Sequence, residues 1–422
     1  MRSTMSRDTS ESALPTNALD SLTEPSRVSS AFEAAKRAAD GLTAWIDRKL
    51  GALRIELAAL IVAISSFLLC FFLYSPPLWI GLPPDARTHD LARQAADPLT
   101  RALYEPILTY RPMHPFIMHV VGVRSVEWVH VFPIVYAITF LFLLFLFLRS
   151  RTSAGVAVLA CFALSTTMVV QSGTYWLGFP DPLCCLVAAA MMLLRPHWAL
   201  VLVPMGMLTD ERFILTAGTI PLLKMRLAAS RFDLKRFSGY AAAVLVGVGV
   251  TFAVRYALTV GWIGPGIVMP KVYDRLTADL LRLVPNHVAD KPYLVPLAMF
   301  FAFRFAWLLP IAAVRTCQSR DERIFQGLGG LLLLFGSYAV FIGGDWTRSL
   351  CFLFPILFLA LFQLEARDRT LTARILLAVI ALNVFTPQLN IDHSPGRLGL
   401  VRPLPIALTR YLAAPEGTGL FR

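Results

Sequence analysis

The chain has 422 residues, of which 56% are hydrophobic and only 16% charged, with mean hydropathy +0.63. These values exclude an ordinary soluble domain, and the lack of ten-residue segments of alternating polarity argues against a membrane barrel. The net charge of +12 needs no nucleic acid to explain it, because Lys and Arg in cytosolic loops orient membrane proteins.

Residues 1–50 are polar and rich in Ser, Thr and Ala, with no apolar core resembling a cleavable signal peptide, and are expected to be cytosolic. Within them, Val28 to Leu50 is predicted to be helical. It either lies on the membrane surface through Lys36, Arg37, Arg48 and Lys49, or leads as a solvated helix into the first span.

Residues 51–390 read as an all-α, polytopic membrane domain of about 11 transmembrane helices, followed by an exoplasmic tail, 391–422. The first span, about Ala52 to Tyr74, opens into a long polar stretch from Ser75 to about Arg124. A second span, Trp128 to Leu148, returns to Arg149 to Arg151, the third rises to Gly173 to Asp181, and a short fourth descends to Arg195. The short apolar runs Ala199 to Leu208 and Phe213 to Leu223 flank Thr209, Asp210, Glu211 and Arg212. Runs too short to cross alone imply protein on several sides or a cavity reaching into the membrane. A seventh span, Gly239 to Leu258, leads to a second long exoplasmic loop, Gly261 to Tyr293, with an amphipathic helix punctuated by Lys271, Asp274, Arg275, Arg282 and Lys291. The last four spans are expected near Leu294 to Val314, Phe325 to Ile342, Ser349 to Leu364 and Leu371 to Phe385.

This threading puts Asp85, Asp181, Asp210, Glu211 and Asp345 on one side. A carboxylate near hydrocarbon costs roughly 2.5 to 3.5 kcal/mol at mid-membrane, so each calls for a partner or a wet cavity. Asp210, Glu211 and Arg212 have a near-identical counterpart in Asp321, Glu322 and Arg323, which sits in a basic cytosolic loop and is expected to be a solvated turn. Trp79, Trp176, Trp262 and Trp346 fall on the same side as the acids, as sugar-stacking rings or as an aromatic belt. The six cysteines show no CxxC spacing, His114 and His119 are not an i, i+4 pair, and neither a P-loop nor a dinucleotide fingerprint occurs.

After the helix-stopping prolines Pro76, Pro77, Pro83 and Pro84, Asp85 opens a predicted helix reading Asp-Ala-Arg-Thr-His-Asp-Leu-Ala, followed by Tyr110, Arg111, Pro112, Met113, His114 and Pro115. Together with Gly178-Phe179-Pro180-Asp181, Thr209-Asp210-Glu211-Arg212 and Gly343-Gly344-Asp345-Trp346-Thr347-Arg348, this pattern resembles the polytopic GT-C glycosyltransferases over roughly Ala52 to Phe385. The resemblance implies a polyprenyl-phosphate sugar donor, a lipid or glycan acceptor, and a first-loop Asp as catalytic base. It makes Asp85 the base candidate and Asp90 its reserve, although His89 replaces the Tyr often found in that loop and Asp85 lies about ten residues past the membrane exit.

A carboxylate base would take the acceptor hydroxyl's proton, and a guanidinium would stabilise the departing phosphate in bidentate fashion, with Arg348 and Arg212 the natural clamps. A single displacement, which inverts the anomeric centre, is favoured over a retaining route. Arg111 and His114 join the expected substrate-binding set with Asp181, Asp210, Glu211 and Asp345. Asp181, Glu211 and Asp345 either orient sugar hydroxyls or hold a divalent cation, Mg or Mn, through oxygen ligands. The expected function is sugar transfer at the exoplasmic face of a bacterial inner membrane. A proton- or ion-coupled transporter and a polymerase or ligase of lipid-linked glycans are the alternatives.

Overall fold

A computed structural model of the protein describes residues 25–74, 86–100, 103, 106–174, 179–228, 231–264, 292–342, 345–391, 398–406 and 409. The described chain is a bundle of helices, as its apolar runs require: buried in lipid, a backbone must satisfy its own hydrogen bonds. Five helices are long and apolar enough to cross a membrane, and a bent pair raises this to six. Shorter apolar helices at Ala154–Ser165, Asp181–Leu193 and Pro196–Thr209 occupy other runs that the sequence threads as crossings.

Helix α1 (Pro25–Gly51) precedes the first long span, α2 (Ile55–Tyr74). The helix expected near Val28 to Leu50 is therefore present, and it docks onto the bundle. Asp40 pairs with Arg374 at 3.0 Å, Asp47 pairs with Arg369, and Asp47 also accepts from the Gly155 N–H at 2.9 Å. After α2 come α3 (Ala86–Ala96), a 3-10 turn at Pro106–Tyr110, and α4 (Met113–Val121), which ends on Gly122 in the left-handed conformation. The second long span is α5 (Val126–Arg149), whose inner face packs on α2 and on α8 (Asp181–Leu193), beyond the short α6 (Ala154–Ser165) and α7 (Met168–Gln171).

α9 (Ala199–Thr209) and α10 (Phe213–Ala228) form a tight antiparallel pair around the turn at residues 210–212. Two glycines permit the local packing. A Cβ at Gly206 would meet the Phe213 ring at 2.2 Å, and one at Gly247 of α11 (Leu234–Val260) would meet the Ala199 carbonyl oxygen at 2.7 Å.

The next span is interrupted: α12 (Leu294–Phe303) and α13 (Leu308–Arg315) are separated by a 3-10 turn at Arg304–Trp307. α14 (Arg320–Ile342) is continuous. α15 (Trp346–Leu350) and its 3-10 extension to Leu353 meet α16 (Pro355–Arg367) at 45°, where Pro355 lacks the N–H that would continue the first helix. α17 (Arg369–Phe385) ends the bundle. Beyond it, β1 (Gln388–Ile391) pairs antiparallel with β2 (Leu398–Val401), Gln388 opposite Val401, a small addition to the all-α expectation. The Thr347 hydroxyl accepts from the Ile391 N–H at 3.0 Å and ties this hairpin to α15.

Candidate functional site

The two Asp-Glu-Arg triplets fold differently, and the contrast locates the site. In the second triplet, Glu322 accepts from the backbone N–H groups of Gln318 and Ser319 at 2.9 and 3.1 Å, while the Ser319 hydroxyl accepts from the Glu322 N–H at 3.1 Å. This reciprocal arrangement is a capping box at the start of α14; Arg367 joins it at 2.5 Å and Asp321 accepts from the Phe232 N–H at 3.2 Å, so the triplet is a half-buried helix start and not the solvated turn the sequence suggests.

The first triplet instead lies at the buried junction of α9 and α10. Its backbone closes locally: the Asp210 N–H donates to Gly206 O at 2.9 Å and the Phe213 N–H donates to Asp210 O at 3.0 Å. Asp210 is fully buried, and its carboxylate accepts from Arg212 Nε at 2.7 Å and Nη2 at 2.6 Å, a bidentate pair. Arg111, just after the 3-10 turn, reaches Asp210 at 3.2 Å and grips Glu211 with two hydrogen bonds, of 3.0 and 2.5 Å.

Arg212 extends the network to Asp181 at 3.4 Å, to Asp345 at 3.9 Å, and to the Ser349 hydroxyl at 2.9 Å. Arg348 Nε then lies 3.0 Å from Asp181 and 2.9 Å from Asp345. Arg255, in α11, approaches Glu211 at 3.6 Å and donates to the Met207 carbonyl at 2.7 Å. Four carboxylates and four guanidiniums from five segments of chain thus form one contiguous, charge-balanced network. It sits at the N-terminal end of α8, the C-terminal end of α9 and the C-terminal half of α11, so at one end of the bundle.

Charge in this network is held firmly. Burial alone would favour a neutral Asp210, but Arg111 and Arg212 outweigh it and hold the carboxyl well below the usual carboxylate range. Glu211 is likewise pushed down, burial being overcome by Arg111. Arg111 is correspondingly raised, because Asp210 and Glu211 more than offset its desolvation.

Two features distinguish the Asp345 and Arg348 end. Asp345 sits in the left-handed region, φ 56° and ψ 58°, a conformation that Asp tolerates better than most residues but that costs about 1 kcal/mol or more. The Arg348 guanidinium carbon lies 4.0 Å from the centroid of the Phe179 ring. Arg348 Nε, although this close to two carboxylates, makes no hydrogen bond, and among the described residues neither terminal nitrogen donates one.

The other expected site residues lie elsewhere. Asp85 is outside the described residues, as are Trp79, Trp176 and the charged residues from Lys271 to Lys291. Asp90 is buried in α3 with Arg93 at 3.8 Å, and stands apart from the network among the described residues. His114 is buried edge-on to Phe132 and Tyr136, with Nδ1 3.4 Å from the Tyr136 hydroxyl, and desolvation pushes it down to about 4. Trp262 is exposed, while Trp346 is buried against Phe341.

Arg255 escaped sequence reasoning although a signal was present: it is the sole full charge between Arg236 and the end of α11, an otherwise apolar helix. Arg304 also escaped. It is completely buried at the break between α12 and α13 with φ 53°, and donates to the Tyr74 hydroxyl and the Thr166 carbonyl at 2.8 Å, and to the carbonyls of Asn383 and Thr386. Its charge is met by neutral oxygens, with no ion pair to a described carboxylate.

A divalent cation fits the network poorly. Each of the four carboxylates is already matched by arginine, and among the described residues no three His, Cys, Asp or Glu side chains are placed to hold a metal ion. The chain matches no family model, no curated protein and no solved structure.

Proposed function

We propose that this chain is an integral membrane glycosyltransferase of GT-C-like architecture, threading about eleven helical segments through or into a bacterial inner membrane. On this reading it moves a sugar from a polyprenyl-phosphate carrier to a lipid or glycan acceptor on the exoplasmic face. The observation that carries the reading is Arg348. Two carboxylates lie within 3.0 Å of its Nε and balance its charge, and an aromatic ring supports one face, leaving the fork of terminal nitrogens for a planar two-point contact with a phosphate.

The charge-balanced network is the scaffold that fixes this fork. Asp210 is too firmly held as an anion to be an effective proton acceptor, because a general base works best with a pKa near the operating pH. The base role therefore stays with Asp85, or with Asp90 in reserve, and Asp345 and Glu211, the most accessible acids of the network, orient sugar hydroxyls. In the transfer step the acceptor oxygen forms its bond to the anomeric carbon as the carbon–oxygen bond to the lipid phosphate breaks. The hydroxyl proton passes to the base, the electron pair leaves on the phosphate, and the anomeric centre inverts.

Sugar transfer in membranes carrying Asp85→Asn, Asp90→Asn or Asp345→Asn, assayed with a set of polyprenyl-phosphate sugars, tests this proposal. Loss in at least one variant at undiminished protein level is expected, and full transfer in all three would refute it. A diphosphate-linked donor used in preference would instead identify a polymerase or ligase.

One observation favours a transporter as the second reading. Two helical segments are broken, at Arg304–Trp307 and at the 45° bend before Pro355, and interrupted helices beside buried charges are a recurrent way of building a transport site. Substrate flux in proteoliposomes without glycosyl transfer would establish that reading.

A further inference from the structure

At the end of the bundle opposite the network, a cavity of about 270 Å³ gathers three basic side chains distant in sequence. Arg151 follows the C-terminus of α5, Arg195 follows that of α8, and Lys224 lies in the last turns of α10. The polarity of α8 and α10 places this end apart from Asp181 and Arg212, which sit at the starts of those helices.

Arg151 and Lys224 are near enough to repel each other, and among the described residues none of the three cations forms an ion pair with a carboxylate. Lys224 spends one of its three donors on the Leu194 carbonyl, 2.5 Å away. Like charges brought together in this way, without a counter-charge from the protein, favour an anion between them.

The remaining lining selects among anions. Leu193, Leu194 and Leu227 present apolar surface along the cavity wall, backed by Phe147 and Met192, and Tyr240 also lines it. A wall of that kind adds nothing for a small hydrated ion but suits the glycerol and upper acyl carbons of a lipid. The volume falls near the lower end of ligand pockets, about 300 Å³, and so suits a headgroup rather than a whole molecule. Its position at the ends of membrane helices matches the level of lipid headgroups, where basic pockets between helices select anionic lipids.

We propose that this cavity binds the phosphate headgroup of an anionic glycerophospholipid, with Arg151, Arg195 and Lys224 around the phosphate and one acyl chain on the apolar wall. The proposal does not depend on the sugar-transfer reading, since no residue is shared between the two sites.

Native mass spectrometry of the full chain, loaded with dioleoylphosphatidylglycerol or dioleoylphosphatidylcholine, tests it. The unsubstituted protein is expected to retain the anionic lipid preferentially, and millimolar inorganic phosphate is expected not to displace it. The doubly substituted Arg151→Gln/Arg195→Gln protein, altered at exposed positions, is expected to retain it about 30-fold less tightly, the effect of two basic groups at an anionic headgroup. Arg231→Gln/Lys235→Gln removes the same charge from the same face outside the cavity and is expected to leave retention unchanged. Equal retention of the two lipids, displacement by free phosphate, or an equal loss in the Arg231 and Lys235 control would overturn the proposal.

Discussion

The guanidinium of Arg348 lies over the ring of Phe179 at 4.0 Å while its Nε lies 3.0 and 2.9 Å from Asp181 and Asp345, so one side chain is held by an aromatic face and by the charge of two carboxylates from different helices. Such a side chain is restrained before any ligand arrives. Pre-organisation of this kind separates a binding arginine from one that only neutralises acids.

Arg348→Lys tests that distinction, because it keeps the positive charge and removes the planar fork. If the fork contacts the leaving phosphate, transfer falls by about 100-fold, corresponding to about 3 kcal/mol of transition-state stabilisation. The amount of folded protein in the membrane serves as the control. Unchanged transfer would show that only the charge of Arg348 matters.

Asp210→Asn is expected to destabilise the protein by about 3 to 5 kcal/mol, because it leaves the guanidiniums of Arg111 and Arg212 buried with too little negative charge. Asp321→Asn, in the capping triplet, is expected to stay within about 1 kcal/mol of the parent. Unfolding in mixed micelles compares the two, and equal effects would remove the distinction drawn between the triplets.

The same carboxyl gives the protein an acid limb. Its folded-state pKa is below that of the unfolded chain, so its contribution is complete above the ordinary carboxylate value, about 4, and is lost as the pH falls further. A melting-temperature profile below pH 4 is expected to flatten in Asp210→Asn.

His114 acts over a different window. Burial lowers it from 6.5 to about 4, so the unfolded chain takes up a proton first and stability declines as the pH falls from 6.5 towards 4. The decline amounts to about 3 kcal/mol. His114→Phe, which retains an aromatic ring beside Phe132 and Tyr136, is expected to abolish this limb in the same profile. A limb that survives would assign it to another group.

Gly206→Ala would push a methyl group into the Phe213 ring and is expected to cost about 1 to 3 kcal/mol. Because the turn between those residues carries Asp210, Glu211 and Arg212, transfer activity is expected to fall as well. Gly218→Ala on α10, where a Cβ meets nothing within 4 Å, is the matched control.

Much of the helical architecture and, Arg255 apart, the members of the charged network were legible in the linear sequence. Apolar runs such as Val126–Arg149 leave the backbone no alternative to a helix in lipid, and a carboxylate beside such a run, as at Asp181 or Asp210, demands a partner wherever the chain folds. Tertiary structure alone decided who those partners are. Arg111 and Glu211 are 100 residues apart and Arg212 and Ser349 are 137 apart, and no local periodicity encodes such pairings. Nor does composition separate Asp210 from Asp321, since both begin the same triplet; one is fully buried between packed helices and the other is half-buried at a helix start. Helix formation depends on local hydrogen bonds and residue type, whereas the meeting of charges depends on how whole helices pack, and that is set by shape complementarity such as Gly206 against Phe213 and Gly247 against Ala199.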